Sequence, residues 1–513
     1  MQNLRRLSQG VFLLLFLFLF IQTESKGADE LGYPVKLFLD FNPLILITTF
    51  FSSHTIQKSF YLSLIIVVAT VILGRVFCGW ICPLGTLNNV AGSLKKNISV
   101  DLKRNWFRVK YYILIILLIS SLFTLQLVGI VDPISLLIRS LSLSIYPLFN
   151  YATRSAFDMI YELNPAGLVN VSESVYGVLK SSVLSFNQPY FYQSAFIGLI
   201  LIVILGLNFV EKRFWCKHLC PLGALLGLLS RFSILKRSIS EGCNECGACN
   251  AVCQGKANPD NNEKWLITEC IYCWNCDDIC PQNAVSFGFG IKSHGEGIDL
   301  GRRHVMSSIV TGMISVPLLR GTPLSSKNIL TPRLIRPPGA LEEKEFLRRC
   351  VKCGECMKVC LTNGLQPTFL EAGFEGIWSP MLVPKIGYCE YRCTLCGQVC
   401  PTGAITEMPI EDKINIKIGL AMINKSRCLP YAHAIPCIVC EEVCPTSIKA
   451  VWFENNRVID REGKEKIIQQ PRVDFELCIG CGICETKCPV KGQPAIYVTS
   501  VGESRSKENR LLL

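Results

Sequence analysis

The sequence predicts an α-helical membrane domain joined to small α+β modules that are built around cysteines. Half of the 513 residues are hydrophobic and only 18% are charged, which is below the roughly 25% of an ordinary soluble domain. The 28 cysteines are also unevenly distributed, with four in residues 1–240 and 24 in residues 241–513. These features argue against a disordered or collagen-like chain and against an ordinary cytosolic enzyme.

Four apolar segments in residues 1–235 approach the ~20 residues that a helix needs to cross a bilayer. They are Leu7–Thr23, Phe60–Val76, Tyr111–Val131 and Tyr190–Val210. The first could also be a signal-peptide core, although no A-x-A cleavage site comes after it. A further stretch, Leu37–Phe51, is interrupted by Asp40 and Pro43, and we expect it to be re-entrant or interfacial. Residues 1–235 are therefore predicted to be a membrane domain with four transmembrane helices.

The net charge of +12 fits membrane topology better than nucleic-acid binding. Basic residues concentrate in residues 78–110 and directly after Val210, next to apolar segments, as in cytoplasmic loops. Residues 132–190 carry three basic and four acidic residues. A nucleic-acid footprint would need a clustered basic face on a soluble fold, so no nucleic-acid partner is predicted. We expect a multi-pass protein of the bacterial inner membrane, with its N-terminus, residues 78–110 and the chain after Val210 in the cytoplasm.

An internal repeat lies at the cytoplasmic ends of the second and fourth apolar segments. Its copies are RVFCGWICPLG at residues 75–85 and RFWCKHLCPLG at residues 213–223. Cysteines four residues apart share one helical face, and the Pro after the second cysteine interrupts the helix. Together the copies supply four thiolates, enough for a seventh, thiolate-ligated centre; the candidates are Cys78, Cys82, Cys216 and Cys220. The alternative, buried thiols that only pack at a helix end, stays open, whereas a disulfide is disfavoured in the cytoplasm.

The remaining cysteines form six near-copies of the run C-x2-C-x2-C-x3-C. In bacterial ferredoxins, the fourth cysteine of each run ligates the other cluster of a pair. The predicted ligand sets are Cys243, Cys246, Cys249 with Cys280; Cys270, Cys273, Cys276 with Cys253; Cys350, Cys353, Cys356 with Cys400; Cys389, Cys393, Cys396 with Cys360; Cys428, Cys437, Cys440 with Cys488; and Cys478, Cys481, Cys484 with Cys444. Zinc sites use paired C-x2-C units separated by longer loops, and a disulfide framework would not give six phased repeats. The sequence therefore predicts six [4Fe–4S] clusters.

These runs define three bacterial-type two-cluster ferredoxin modules, at residues 236–295, 326–410 and 411–513. Gly247, Gly354 and Gly482 allow the loops to pass close to the inorganic sulfurs. Short apolar runs come after four of the motifs and are read as the strands that close each module; they are residues 284–287, 404–407, 450–453 and 495–498.

Two known families resemble this pattern. Residues 1–290, with the C-x3-C-P repeats and a two-cluster motif, resemble the membrane-bound ferredoxin of periplasmic nitrate reductase systems (NapH-like), and NosR shares the C-x3-C-P feature. Residues 300–500 resemble the periplasmic ferredoxin of the NapG/MauM type, on the segments RPPGA at 336–340, EAGFEGIWSP at 371–380 and the fourth cysteine run. The chain differs from these families in two ways. It joins two proteins that are normally separate, and it has Gln254 and Leu361 where Pro usually comes after the fourth cysteine of a run. The resemblance implies redox partner proteins, namely a periplasmic reductase or cytochrome.

The junction between the two halves, residues 296–325, resembles a twin-arginine signal. Arg302 and Arg303 precede the apolar stretch Val305–Leu319. Because clusters are inserted in the cytoplasm, a domain that carries four of them must cross the membrane already folded. We expect an uncleaved fifth transmembrane helix and periplasmic modules beyond it. The stretch is short for a full crossing, so a buried helix is the alternative.

Two functions are consistent with this organisation. The first is electron transfer from the quinol pool, or a cytoplasmic donor, to a periplasmic reductase, with quinol reacting near the C-x3-C-P repeats and Arg75 and Arg213 offsetting negative charge there. The second is a maturation or reactivation factor that supplies electrons to a metalloenzyme cofactor. No C-x-x-C-H haem motif and no nucleotide-binding signature is present, His218 is expected at the surface, and no catalytic residue is predicted.

Overall fold

The computed structural model describes residues 1–25, 29–55, 57–94, 104–163, 168–257, 265–290, 300–320, 333–459, 463–506 and 509. Part of the basic loop expected at residues 78–110, namely residues 95–103, lies outside the described residues.

The first 230 residues are helical. Their α-helices are α1 (Gln2–Gln22), α2 (Leu37–Asp40), α3 (Pro43–Ser53), α4 (Ser63–Leu73), α5 (Pro83–Ser93), α6 (Val109–Leu122), α7 (Val128–Val131), α8 (Pro133–Ser140), α9 (Tyr146–Leu163), α10 (Leu168–Ser182), α11 (Ser194–Gly206) and α12 (Pro221–Ser230). Single π-helical turns at Phe77–Ile81 and Trp215–Leu219 directly precede α5 and α12.

The rest of the chain consists of short helices, two-stranded antiparallel sheets and one helix of 19 residues. The strands are β1 (Leu235–Ile239), β2 (Val285–Phe289), β3 (Leu365–Pro367), β4 (Pro380–Leu382), β5 (Leu420–Ile423), β6 (Val451–Ile459), β7 (Glu465–Val473) and β8 (Ile496–Thr499). The helices are α13 (Ala248–Ala251), α14 (Asn275–Asp278), α15 (Arg302–Arg320), α16 (Glu343–Arg349), α17 (Glu355–Lys358), α18 (Leu395–Gln398), α19 (Ile410–Lys413), α20 (Leu429–Ala432), α21 (Val439–Glu442) and α22 (Ile483–Lys487).

The strand predictions after the cysteine runs hold at three of four places. β2 pairs with β1, and β8 pairs with β5. β6 also forms, but it pairs with β7 in a hairpin that fills the long linker before the sixth run. The strand expected at residues 404–407 is reduced to a single bridge between Ala340 and Ile405.

Within the described residues, α1 is the helix that is long and apolar enough to cross a membrane by length and composition. The other apolar helices are shorter than the predicted segments. α4 ends at Leu73 because Gly74 adopts a left-handed φ of 77°. α6 ends at Leu122, just before Thr124 at a φ of 65°, so the segment predicted at Tyr111–Val131 is not one helix. The multi-span membrane domain therefore stays a prediction.

The chain divides into two compact units. Unit 1 comprises Met1–Gln22, Tyr33–Leu141 and Ala195–Leu318, and unit 2 comprises Thr23–Gly32, Ser142–Ser194 and Leu319–Leu513.

In unit 1, α6 packs against α3 and α12, and α15 runs alongside α6. The ring of His304 lies 5.7 Å from that of Tyr112 near the start of both helices. Further along, Ser315 Oγ is 3.4 Å from Ser120 Oγ. The small buried side of α15 includes Gly312, where a Cβ would approach the side chain of Ile119 to 2.9 Å. The two helices are therefore parallel and in close contact, as small residues allow.

In unit 2, the segment after α1 packs on the ferredoxin-like module at residues 333–410. The Asp29 carboxylate accepts hydrogen bonds from the Thr394 backbone N–H at 2.6 Å and its hydroxyl at 2.7 Å. The Lys358 ammonium forms an ion pair with Glu24 at 3.3 Å. In the same unit, Glu343 pairs with the buried Arg336 and with Arg505.

Candidate metal centres

Five cavities are each lined by four of the predicted cysteines, and each has an empty volume of about 350–440 Å³, including the space at its opening to solvent. In every case three cysteines come from one run and the fourth from its partner. The sets are Cys389, Cys393, Cys396 with Cys360; Cys428, Cys437, Cys440 with Cys488; Cys478, Cys481, Cys484 with Cys444; Cys270, Cys273, Cys276 with Cys253; and Cys350, Cys353, Cys356 with Cys400. The geometry thus groups these side chains as four-thiolate sites.

The sixth predicted set lies at the surface of unit 1. Cys246 is exposed, and Cys243, Cys249 and Cys280 are partly exposed. Its two loops adjoin α13 and α14, which pack against each other. The Cys280 sulfur accepts a hydrogen bond from the Ala284 N–H at 3.3 Å.

Backbone geometry around the sulfurs repeats from run to run. In the four regular runs, the residue before the second cysteine and the residue after it both have positive φ angles. Glycine takes the position after that cysteine at Gly247, Gly354 and Gly482, and Trp274 takes it in the second run. A Cβ at Gly482 would also lie 2.7 Å from Pro384, so this position needs glycine for space as well as for conformation. The roles predicted for the three glycines therefore have a conformational basis.

The thiols of these cavities are suited to a metal group and poorly suited to being free thiolates. Burial, with the neighbouring Cys428 and Cys437, raises the pKa of Cys440 to about 12. Burial likewise raises the pKa of Cys393 to about 12. Backbone N–H groups can stabilise negatively charged sulfurs; for example, the Ala495 N–H donates to Cys488 Sγ at 3.4 Å. Since iron binds thiolates and displaces their protons, the residues present fit iron–sulfur groups, which would supply one-electron transfer when bound.

The two C-x3-C-P repeats have matching geometry. Instead of the expected α-helical face, the first cysteine of each repeat lies in a π-helical turn, a feature often found at functional sites, and the second comes directly after that turn. The proline begins the next helix, because the preceding cysteine is its N-cap. Gly85 N–H donates to Cys82 Sγ at 3.4 Å, and Gly223 N–H donates to Cys220 Sγ at 3.3 Å.

The two repeats also contact each other. Arg213, from the second repeat, donates from Nη1 to the Cys78 carbonyl of the first repeat at 3.2 Å. Arg75, from the first repeat, has its Nη2 2.9 Å from where a Cβ on Gly223 would lie. Cys78, Cys82 and Cys220 are buried, and Cys216 is partly buried. Electrostatic coupling of Cys220 to the other three sulfurs places all four in one neighbourhood.

The first repeat packs directly on the loop that carries Cys270 and Cys273. A Cβ on Gly79 would lie only 2.6 Å from the Ile271 carbonyl oxygen. The Trp80 indole N–H donates to the Tyr272 carbonyl at 3.0 Å. Its ring also makes an edge contact with Trp274, with centroids 5.5 Å apart. The C-x3-C-P cysteines and the second ferredoxin site are therefore held by touching backbone segments.

Glu269 joins these parts electrostatically, a role that no sequence pattern signals. Its carboxylate accepts from Tyr111 Oη at 2.7 Å and from the Lys110 ammonium. Arg75 Nη1 lies 3.5 Å away. All of these side chains are nearly inaccessible to solvent. A carboxylate next to Cys270 thus links α6 and the first repeat to the Cys270 loop.

His218 is buried, at 3% exposure, so its predicted surface position is wrong. Its Nε2 is 2.9 Å from a Glu211 carboxylate oxygen, and its ring packs against Phe214. Lys217 pairs with the same carboxylate at 2.8 Å. The π-turn turns both side chains toward Glu211, which an α-helical reading of the repeat would not predict. Among the described residues, no three His, Cys, Asp or Glu side chains are arranged to hold one metal ion.

Two known protein families match parts of the chain. A family described as "4Fe-4S binding domain" matches residues 59–101, 193–240 and 395–420, and a second family with that description matches residues 471–491. The first two matched segments each contain one C-x3-C-P repeat.

Three relatives each match part of the chain. It is 28% identical to an uncharacterized protein of Methanocaldococcus jannaschii over 57% of this chain and 97% of that protein. It is 26% identical to the ferredoxin-type protein NapH of Haemophilus influenzae over 45% of this chain and 69% of NapH. It is 33% identical to the ferredoxin-type protein NapG of Escherichia coli over 26% of this chain and 58% of NapG. No solved structure matches the chain.

Proposed function

We propose that this chain, which resembles a fusion of NapH-type and NapG-type ferredoxins, is a membrane-bound polyferredoxin. Its similarities already identify a 4Fe-4S ferredoxin-type electron transport protein. The finer proposal is that it carries electrons from the quinol pool or a cytoplasmic donor to a periplasmic reductase or cytochrome. The observation that carries it is the grouping of cysteines from partner runs around five cavities.

Six [4Fe–4S] clusters are proposed, with the ligand sets predicted from the six cysteine runs. Two belong to the module at residues 236–295, and four belong to the modules at residues 326–410 and 411–513. The chain's own residues bind each group through four sulfurs, exclude water from most of the sites by burial, and donate backbone hydrogen bonds to the sulfurs. Such hydrogen bonds and the degree of exposure set the reduction potential of each site.

The proposed route for quinol electrons begins at the C-x3-C-P repeats. Contact between Trp80 and the Cys270 loop supports transfer from this position to the second ferredoxin site. Replacing Cys78 and Cys216 by Ser should abolish quinol-dependent reduction while leaving the six ferredoxin clusters nearly intact. Quinol reduction of the double variant at the normal rate would mean that the repeats only pack.

The composition of unit 2 supports the proposed topology. The predicted topology places the segment after α1, residues 132–190 and, through the twin-arginine-like junction, the modules beyond α15 on the same side of the membrane, and unit 2 is assembled mainly from these parts. The parallel course of α15 and α6 supports the same assignment. Reporter fusions test it: alkaline phosphatase fused after residue 513 should be active, and the same fusion after residue 290 should be inactive. Activity of the second fusion or inactivity of the first would refute the topology.

Proteoliposomes that contain the purified chain and a reduced quinone distinguish electron transfer from maturation. Steady flux to a soluble acceptor on the outer side is the expected result. A burst limited to one equivalent per chain would support the second function, a maturation or reactivation factor that supplies electrons without joining turnover.

A further inference from the structure

Buried guanidinium donors without partners lie beside the cysteines of the two C-x3-C-P repeats. Arg75 and Arg213 are each 1% exposed. The Nε and Nη2 groups of Arg213, and the Nε of Arg75, have no hydrogen-bond partner among the described residues. A buried charged donor that remains unpaired carries a large desolvation cost, so these groups point to an acceptor that the protein itself does not supply.

The position of the two arginines indicates where that acceptor lies. Each arginine reaches across to the other repeat, as the contacts of Arg213 with the Cys78 carbonyl and of Arg75 with Gly223 demonstrate. Both guanidinium groups also act electrostatically on Cys216. The unpaired donors therefore belong to side chains that lie close to the cysteines of both repeats.

We propose that Cys78, Cys82, Cys216 and Cys220 hold an iron–sulfur cluster, and that Arg213 and Arg75 donate hydrogen bonds to its inorganic sulfides. This deepens the proposed function and rests on it for the direction of electron flow. A single metal ion bound by four thiolates would offer only the thiolate sulfurs as acceptors. Two of those sulfurs already accept backbone hydrogen bonds. Inorganic sulfides would add acceptors for the Nε and Nη2 of Arg213 and the Nε of Arg75, which lack partners among the described residues.

The surrounding charge gives this site a distinct redox property. Arg75, Arg213 and Lys110 are buried cations near the repeats, and the buried carboxylate Glu269 pairs with Arg75 and Lys110 but not with Arg213. A cluster with four thiolate ligands gains negative charge when it is reduced, and nearby cations and N–H donors favour the reduced form. Arg213 and Arg75 are thus positioning residues that raise the reduction potential of this centre above those of the ferredoxin sites, as an acceptor of quinol electrons requires.

Iron and acid-labile sulfide content test the identity of the centre. The full chain is reconstituted anaerobically in detergent and compared with the Cys78→Ser/Cys216→Ser variant. The variant should lose iron and sulfide together, about four of each for one [4Fe–4S] cluster. Loss of a single metal atom without sulfide, or no loss of either, would overturn the proposal. This readout needs neither quinol nor acceptor, so it stands or fails separately from the proposed function.

A redox titration followed by electron paramagnetic resonance tests the arginines. Arg213→Gln should keep its iron and sulfide but shift the midpoint potential of one centre to a lower value, and Arg213→Lys should shift it less. Arg237→Gln is the matched control, because Arg237 is also buried but hydrogen-bonds to Cys276 in the second ferredoxin site. An unchanged potential in Arg213→Gln, or the same centre shifting in Arg237→Gln, would overturn the role of Arg213. If Arg213→Gln loses the cluster, the smaller shift in Arg213→Lys decides the question.

Discussion

Replacing Glu269 by Ala should lower the free energy of unfolding of unit 1 by about 3–5 kcal/mol, the usual cost of leaving a buried ion pair without one partner. The carboxylate is 1% exposed and neutralises Lys110 and Arg75, neither of which can reach bulk water. It also accepts the hydroxyl of Tyr111. For a unit of this size, the loss corresponds to a decrease of about 6–20 °C in melting temperature. The measurement is thermal unfolding of the full chain in detergent, followed by tryptophan fluorescence.

The control is Glu345→Ala on α16, which removes a partly exposed ion pair with Arg349 one helical turn away. This change should lower the free energy of unfolding by only about 0.3–0.5 kcal/mol. The double variant Lys110→Met/Glu269→Leu should recover part of the lost stability, because it removes a cation together with the carboxylate. A loss below about 1 kcal/mol in Glu269→Ala would refute the view that this carboxylate compensates buried charge.

Three further predictions concern unit 2 and α15. Cys350→Ala combined with Cys400→Ala should lose the iron of one cluster, whereas Cys389→Ala combined with Cys400→Ala should lose that of two, as measured by iron analysis. Burial alone would raise the pKa of Glu343 above its ordinary value of 4.5. Its partners Arg336 and Arg505 have the larger combined effect and bring the pKa down to about 2. Because the folded-state pKa is the lower one, its stabilisation is complete above about pH 4.5 and disappears as the pH falls toward 2, so Glu343→Gln should flatten the acid-unfolding curve over that range. Gly312→Ile should separate α15 from α6 and destabilise unit 1 by about 1–3 kcal/mol in thermal unfolding.

Each of these predictions has a contrary outcome. Equal iron loss in the two double cysteine variants would contradict the crossed ligand sets. An acid-unfolding curve of the Glu343 variant parallel to that of the parent would mean that this carboxylate does not titrate with folding. Gly206→Ile is the control for α15, because a Cβ at Gly206 has open space around it; equal destabilisation by both changes would refute the contact.

The cysteine groupings could be predicted from the sequence because the spacing itself encodes the loop geometry. Three sulfurs within seven residues must converge when the intervening residues adopt left-handed conformations, and the fourth must come from elsewhere. The regular runs satisfy this local rule. The irregular fifth run does not, because Cys428 lies nine residues before Cys437, yet its three cysteines still line one cavity with Cys488. Which runs are partners could be predicted from their short separation along the chain.

The parts that could not be predicted depend on long-range contacts. In the sequence, Glu269 is only a carboxylate next to a cysteine. Its role as a counter-charge depends on Lys110 and Arg75, which are distant in sequence. The burial of His218 results from the π-turn, which shifts the side chains of the second repeat relative to an α-helix. Hydrophobicity also overestimated the length of the apolar helices, since it does not report the backbone conformation at Gly74 and Thr124, near which α4 and α6 end.

The hydrogen bonds between Asp29 and Thr394 can form only at a late stage of protein synthesis. The two residues are 365 positions apart, so a ribosome has completed most of the protein before they can meet. The stretch after α1 consequently waits without its partner throughout synthesis of everything between them. This stretch therefore docks late in biogenesis. Protection of the chain around Asp29 from proteolysis would consequently report that the C-terminal half has been made and has folded.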